Sequence, residues 1–509
     1  MALSTNTEYF DVVVVGAGLS GIGAAYHLQE LCPAKNYIIL EGRDSIGGTW
    51  DIFRYPGIRS DSDMYTLGYN FKPWVESKAI ADGPSILKYV RETAAENGID
   101  KNIRYSHQAR KATWSSREAA WTIEAQNKES GETVLIRCNS ILMCSGYYSY
   151  ESGYTPEFKG RERFSGEIIH PQDWPESLDY GDKNVVVIGS GATAVTLIPK
   201  LASDARHVLM LQRSPTYMVA APDEDWIANF LRKILPAKIA YAITRWKNIR
   251  FQQMVYRRTR TAPDKVKKKL LKMLRKELGP DYDIEKHLTP RYDPWDQRLC
   301  LVPNSDFFEA VNSGKASIVT EHIDTFTEKG ILLKSGEELD ADIIITATGL
   351  DLLVLGGMEI IVDGEPVDIS DTFSYKAMMF SDVPNLVSTF GYINASWTLR
   401  ADLTAEYFCR LVNHMDETGL RQFTPRLRDE EKDMPARDWI TAFSSGYMQR
   451  AMHMLPKQGD RDPWLNTQNY DLDRKMIRGE ALDDGVLSFS NPLMSVAKQN
   501  SGQLESNAA

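Results

Sequence analysis

Three stretches of the sequence predict an α/β protein with two Rossmann-like dinucleotide-binding domains, the second inserted into the first, and a helical excursion. Residues 9–28, YFDVVVVGAGLSGIGAAYHL, join an apolar strand to a glycine loop and a helix start rich in small residues. Residues 183–201, KNVVVIGSGATAVTLIPKL, repeat that device. Residues 341–351, ADIIITATGLD, supply a late apolar strand that is expected to return the chain to the first domain.

In the first unit the unbroken apolar run is what a buried parallel strand requires. Gly16, Gly18 and Gly21 then form G-x-G-x-x-G. Such glycines permit a tight turn and let a pyrophosphate approach the backbone at the helix N-terminus. The next apolar run, NYIILE, ends in Glu41, where an acid binds the ribose hydroxyls of an adenosine. Gly47, Gly48, Thr49 and Trp50 follow as a second glycine segment.

The second unit carries Gly189, Ser190, Gly191, Ala192, Thr193 and Ala194 as G-x-G-x-x-A. Its second strand, HVLMLQRSP, has Gln212 near the acid position, followed by Arg213 and Ser214. Without the acid a 2′-phosphate is not repelled, and a neighbouring guanidinium can grip it. This unit is therefore expected to take NADPH; the competing reading of Arg213 is a surface arginine with no ligand. The acid, the GG segment and the late strand mark the first unit as the FAD domain. The expected boundaries are 8–160 for the first part of the FAD domain, 161–334 for the NADPH domain and 335–495 for the second part. Residues 496–509, small and polar, are expected to be a disordered tail.

Composition narrows the function classes. The chain has 509 residues, 43% of them hydrophobic, and a net charge of −10. That is enough for several domains with a sizeable core. Its first residues lack a basic, apolar leader and no run is long enough to span a bilayer, so a cytoplasmic location is expected. The five cysteines form no CxxC and no zinc spacing, so no metal is expected and buried thiols are favoured over a Cys138/Cys144 redox pair.

Charge is uneven. Between residues 232 and 276 sixteen Lys/Arg face one acid, Asp264, whereas the rest of the chain is acidic. Apolar residues recur at helical spacing through 225–280, making a basic amphipathic excursion. The favoured reading packs its apolar face on its own domain; the second reading is peripheral contact with an anionic membrane. Nucleic acid is not expected as a partner, because no recognition motif accompanies the charge.

One linker carries more pattern than a linker needs. Residues 164–175, FSGEIIHPQDWP, space Phe164, Gly166, His170 and Trp174 regularly between the two glycine units. Pro171 and Pro175 restrict the backbone there, and Gly166 is expected to leave one flexible point. With this stretch and GGTWDIFRYPGIRSD, residues 47–61, the sequence resembles the class B flavoprotein monooxygenases, and within them the type I Baeyer–Villiger monooxygenases. Their patterns are F-x-G-x-x-x-H-x-x-x-W-[PD] and [AG]-G-x-W-x-x-x-x-[FY]-P-[GM]-x-x-x-D, and both are fully matched. The wording of RYPGIRSDSDMYTLGY, YDPWDQRL and SSGYMQRAMHMLPKQGDRDPW is closest to the ethionamide-activating branch. Trp174 separates the chain from related flavin-containing monooxygenases, which usually have Tyr there.

The resemblance implies site residues. Ser20, Glu41, Thr49, Trp50, Asp51, Ile52, Asp61 and Ala109 match its FAD contacts. Arg59, Ser60, Asp61, the loop Gly189, Ser190, Gly191, Ala192, Thr193, Ala194 and Val195, and Arg213 with Ser214 match its NADPH contacts. Arg298 matches its catalytic arginine, although Gln297 replaces the lysine common before it. The implied reaction consumes NADPH and O2 and converts a ketone to an ester or lactone through a C4a-peroxyflavin. That anion needs a permanent cation, Arg298, oriented by Asp61. Sulfides are a further expected substrate, and an S- or N-oxygenase with little ketone activity is the alternative. His170 is expected to position rather than to transfer protons. Residues 378–397 and the Met-rich 444–459 are candidates to shape the substrate pocket. A disulfide reductase would need a CxxC dithiol, which the sequence lacks.

Overall fold

The computed structural model describes residues 7–492, so the expected tail at 496–509 lies outside the described residues. The first domain is organised by a nine-stranded sheet. Glu8–Val15 lies at its centre, parallel to Tyr37–Leu40 on one side and to Thr133–Met143 on the other. Ala120–Asn127 and His107–Ser115 extend it in antiparallel fashion. The returning chain contributes Glu359–Val362 beside His107–Ser115 and Leu386–Ser388 beside Thr133–Met143. The helix Trp397–Thr418 then packs on Leu19–Leu31, closing a core that includes Val12, Val14, Ile22, Leu403 and Phe408.

The second sheet has five parallel strands in the order Ala316–Thr320, His207–Gln212, Asn184–Ile188, Ile343–Thr346, Glu167–Ile169. Three expectations change here. The late strand at 343–346 pairs with Asn184–Ile188, so it belongs to the inserted domain and the return falls after it, not at 335. The patterned "linker" contains Glu167–Ile169, the edge strand of this sheet, and a 3₁₀ turn at Pro171–Asp173. Gly166 is no flexible point either. A Cβ there would stand 2.2 Å from the Asp342 carbonyl oxygen and 2.7 Å from the Phe164 ring. The missing side chain serves close packing.

The excursion is helical, as its periodicity predicted: Trp226–Ile234, Ala237–Thr261 and Pro263–Leu278. Its packing differs from the favoured reading. Pro263–Leu278 does bury Leu270 and Leu274, the latter in the core of the second domain. The long helix Ala237–Thr261 instead docks on the first. Tyr241 donates to the Tyr69 carbonyl at 2.9 Å, and Arg245 Nη1 donates to the carbonyl oxygens of Tyr65, Thr66 and Gly68 at 2.9, 3.2 and 2.7 Å. Arg245 Nη2 lies 3.4 Å from buried Asp402. A buried guanidinium is tolerable only with such a set of acceptors. Among the described residues no helix is long and apolar enough to cross a membrane.

Candidate active site

Both glycine loops turn in the same way, for a steric reason. Gly16 has φ +105° and a Cβ there would lie 2.6 Å from the Cys144 carbonyl oxygen; Gly189 has φ +137° and its Cβ would lie 2.2 Å from that of Ala347. In each domain the loop thus passes directly under the end of a neighbouring strand, and only glycine fits. The helices Leu19–Leu31 and Ala192–Leu201 start immediately after these loops, directing their free N–H groups toward the turn.

A cavity of about 370 Å³ opens beside the first loop. Of the residues singled out in the sequence, Gly16, Gly18, Ser20, Glu41, Thr49, Trp50, Arg59, Ser60, Asp61, Ala109 and Arg298 line it. Gly21, Asp51 and Ile52 do not. Gly21 packs against the Gly16 carbonyl, where a Cβ would come within 1.9 Å. Asp51 is buried among Arg43 at 2.9 Å, Arg91 at 3.1 Å and Ser45 at 2.5 Å, so its carboxylate serves the fold of this segment. Glu41 is buried as well. Its Oε2 accepts from Ala17 N at 2.7 Å and its Oε1 from Arg43 N at 2.9 Å. Burial pushes its carboxyl up from the usual range, against the pull of these two bonds.

A second group meets at Arg298. Its Nε stands 3.6 Å from Asp61 Oδ2, and its Nη1 donates to the Ile393 carbonyl at 3.2 Å. Burial opposes its charge, whereas the Asp61 carboxylate favours it, and the net shift is upward from an ordinary arginine's. Tyr147 hydrogen-bonds Tyr148 at 2.8 Å and stacks on Trp397 with ring centres 5.2 Å apart. Trp397 donates its indole N–H to Ser20 Oγ at 2.7 Å. The 378–397 stretch therefore does reach the cavity through Tyr392, Ala395 and Trp397. Of 444–459, Tyr447 approaches Arg298, whereas Met448 and Met452 are core.

Sequence reasoning missed Arg43, Gln108 and Tyr147 as cavity residues. Arg43 follows Glu41 by two positions and Gln108 precedes Ala109, so proximity was a signal for both. Tyr147 comes from a distant segment and left none.

In the second domain Ser190 Oγ donates to the Ser214 carbonyl at 3.0 Å, tying the glycine loop to the end of the next strand. Gly191 faces open space, with nothing within 4 Å of a Cβ placed there. Thr193 is half-buried, and Ala194 and Val195 are buried behind the loop with Ala192 packed beside them. Gln212 is buried and donates to the His287 carbonyl and Thr320 Oγ1 at 2.7 and 2.9 Å, so the expected acid position has become structural. Arg213 is exposed and makes no ion pair among the described residues. Arg59 is engaged by Asp306 of the second domain.

The family patterns are held structurally. Phe164 is buried with Val186, Ile188 and Phe326, and Trp174 packs against the second core. All five cysteines are buried free thiols, the favoured reading of their spacing.

Residues 76–355 match the model of the flavin-binding monooxygenase-like family, and residues 14–75 match an NAD(P)-binding Rossmann-like domain. The chain is 53% identical over 485 residues to the FAD-containing monooxygenase EthA of Mycobacterium tuberculosis (strain ATCC 25618 / H37Rv), covering 95% of this chain and 98% of that protein. The chain belongs to the flavin-binding monooxygenase family. The EthA of Mycolicibacterium smegmatis is 52% identical to this monooxygenase, with 97% and 100% covered. The probable FAD-binding monooxygenase AlmA of Acinetobacter baylyi is 45% identical, with 98% and 100% covered. In fold this monooxygenase is similar to a steroid monooxygenase bound to NADP, with TM-score 0.76, 22% identity and 95% and 100% covered. An open cyclohexanone monooxygenase follows at TM-score 0.75, 20% identity and the same coverage.

Proposed function

We propose that this monooxygenase holds FAD in the first domain and NADPH in the second, and uses O2 to convert ketones to esters or lactones. The observation that carries the reading is the Arg298–Asp61 pair lining the same cavity as the first glycine loop. The residues fit both cofactors. Arg43 Nη1 and Gln108 Oε1 line the FAD cavity, buried and without a hydrogen-bond partner, as groups awaiting a polar ligand would be. Gly191 leaves room beside the second helix N-terminus, and Arg213 is free for a 2′-phosphate.

Bound and reduced, FAD would supply an activated oxygen that is nucleophilic when anionic and electrophilic when protonated. Arg298, half-buried and paired with Asp61, keeps its charge, so it stabilises negative charge that develops beside it, and of the two roles favours attack on a carbonyl. Asp61 orients the guanidinium, and the Tyr147–Trp397 stack keeps water from that side. Oxidation of sulfides would need the proton that Arg298 disfavours, so it is the lesser activity.

The test is product analysis with one cyclic ketone and one aryl sulfide under NADPH and labelled dioxygen. Arg298→Ala should keep its FAD and lose lactone formation by about 10²–10³-fold. Asp61→Ala should slow it by about 2–10-fold, the worth of a partly exposed ion pair. Undiminished lactone formation by Arg298→Ala would overturn the assignment.

A further inference from the structure

The two helices Trp226–Ile234 and Ala237–Thr261 carry an apolar surface that none of the described residues covers. Twelve large hydrophobic side chains are exposed among the described residues, and eight of them lie between residues 226 and 254. Chance scatter over the surface does not concentrate them in this way. Lys247 Nζ bonds Asp225 Oδ2 at 2.5 Å, which sets the two helices antiparallel about the turn at Leu235 and Pro236. Trp226, Phe230 and Ile234 on the first helix and Ile239, Ile243 and Trp246 on the second are all exposed. On each helix these residues recur at i, i+4 and i+7 or i+8, a single stripe. The opposite side of the long helix holds Tyr241, Thr244 and Arg245, buried against the first domain. The stripe therefore points outward, with Trp226 75% and Trp246 63% exposed.

Cations accompany it. Lys233 and Lys238 flank the turn, exposed and in no ion pair among the described residues. The adjoining helix Pro263–Leu278 turns Leu270 and Leu274 inward and leaves Lys265, Lys268, Lys269, Lys272 and Lys276 along its other side, again unpaired among the described residues. We infer that this helical hairpin seats on the surface of an anionic phospholipid bilayer, its apolar stripe in the acyl boundary and its lysines at the headgroups. Such a surface offers an apolar layer and negative charge at one place, which is the combination the hairpin presents. The indoles of Trp226 and Trp246 suit the interface, where a ring can be half apolar and half wet. A second copy of this chain fits less well. Residues 226–261 contain no acid, so a two-fold contact through the stripe offers Lys233 and Lys238 no carboxylate from the facing helices.

The test uses the full-length, FAD-loaded enzyme. It is sedimented with vesicles of equimolar phosphatidylglycerol and phosphatidylcholine, and with vesicles of phosphatidylcholine alone. The wild type is expected to pellet with the anionic vesicles and to bind the neutral ones about tenfold less. A Trp226→Ser/Phe230→Ser/Trp246→Ser variant is expected to lose anionic binding at least about tenfold while keeping its bound FAD and its rate of NADPH oxidation. Lys233→Glu/Lys238→Glu should weaken binding in the same assay. A wild type that stays in the supernatant with both vesicles overturns the inference, as does equal pelleting by the triple variant. A lipid-free dimer that the triple variant abolishes would assign the stripe to a second copy and overturn it as well.

Discussion

Nε2 of His170 stands 3.1 Å from the carbonyl oxygen of Gly349, joining the edge strand of the inserted sheet to the loop that leaves its neighbour. The other ring nitrogen, Nδ1, accepts from Gln172 N at 3.2 Å. Both nitrogens are thus occupied in one neutral tautomer, and no lone pair is left to take a substrate proton. The ring also fills the space above Gly153, where a Cβ would lie 1.9 Å from its Cε1. These contacts are those of a positioning side chain.

Gly153→Ala should therefore destabilise the enzyme by about 1–3 kcal/mol, since the added methyl must displace the imidazole or the strand. Thermal unfolding with bound FAD measures it, and Gly153→Ala/His170→Ala should recover most of the loss. A single variant as stable as the wild type would show that the ring moves freely.

Burial lowers the His170 pKa from its ordinary 6.5, and does the same at His207 and His287. Between 6.5 and the lowered value the unfolded chain binds more protons than the folded one, so stability rises with pH in that window. The histidine contribution is complete above pH 6.5 and is lost as pH falls below it. Denaturant unfolding at a series of pH values should show this slope, shallower in His170→Asn.

Arg213 is free at the mouth of the second loop, whereas Gln212 is committed to the core. Arg213→Ala should lower kcat/KM for NADPH by about 10–100-fold, the loss of a charged hydrogen bond of about 1.5–3 kcal/mol, and leave NADH almost unchanged. An unaltered preference between the two coenzymes would remove Arg213 from the site.

Arg59 lines the flavin cavity but is held by Asp306 across the domain boundary. Use of Arg59 by NADPH would have to compete with that pair. Asp306→Asn should then reduce KM for NADPH by about 2–5-fold, the worth of a partly exposed ion pair, with kcat little changed. A raised KM would instead mean that the pair prepares the site.

Local chemistry made the dinucleotide units legible. An apolar strand, glycines at fixed spacing and an acid or its replacement are consecutive in the chain, and each obeys a short-range steric or electrostatic rule. The patterns around Phe164 and Gly47 were legible for the same reason. Pairing was not. The strand at 343–346 reads as a member of either sheet, because a buried parallel strand is apolar on both faces whichever neighbour it has. Nor could periodicity say which domain receives the long helix, since that depends on carbonyl groups at Tyr65, Thr66 and Gly68 meeting Arg245 about 180 residues away. The sequence alone determined two nucleotide folds, the cofactors their residue types suit, and a basic helical excursion with apolar residues at helical spacing. Only the tertiary structure decided that Asp51 is held by arginines while Arg298 faces the cavity, and that the outer stripe stays uncovered among the described residues. Those outcomes rest on distances between residues far apart in the chain, which composition and spacing do not carry.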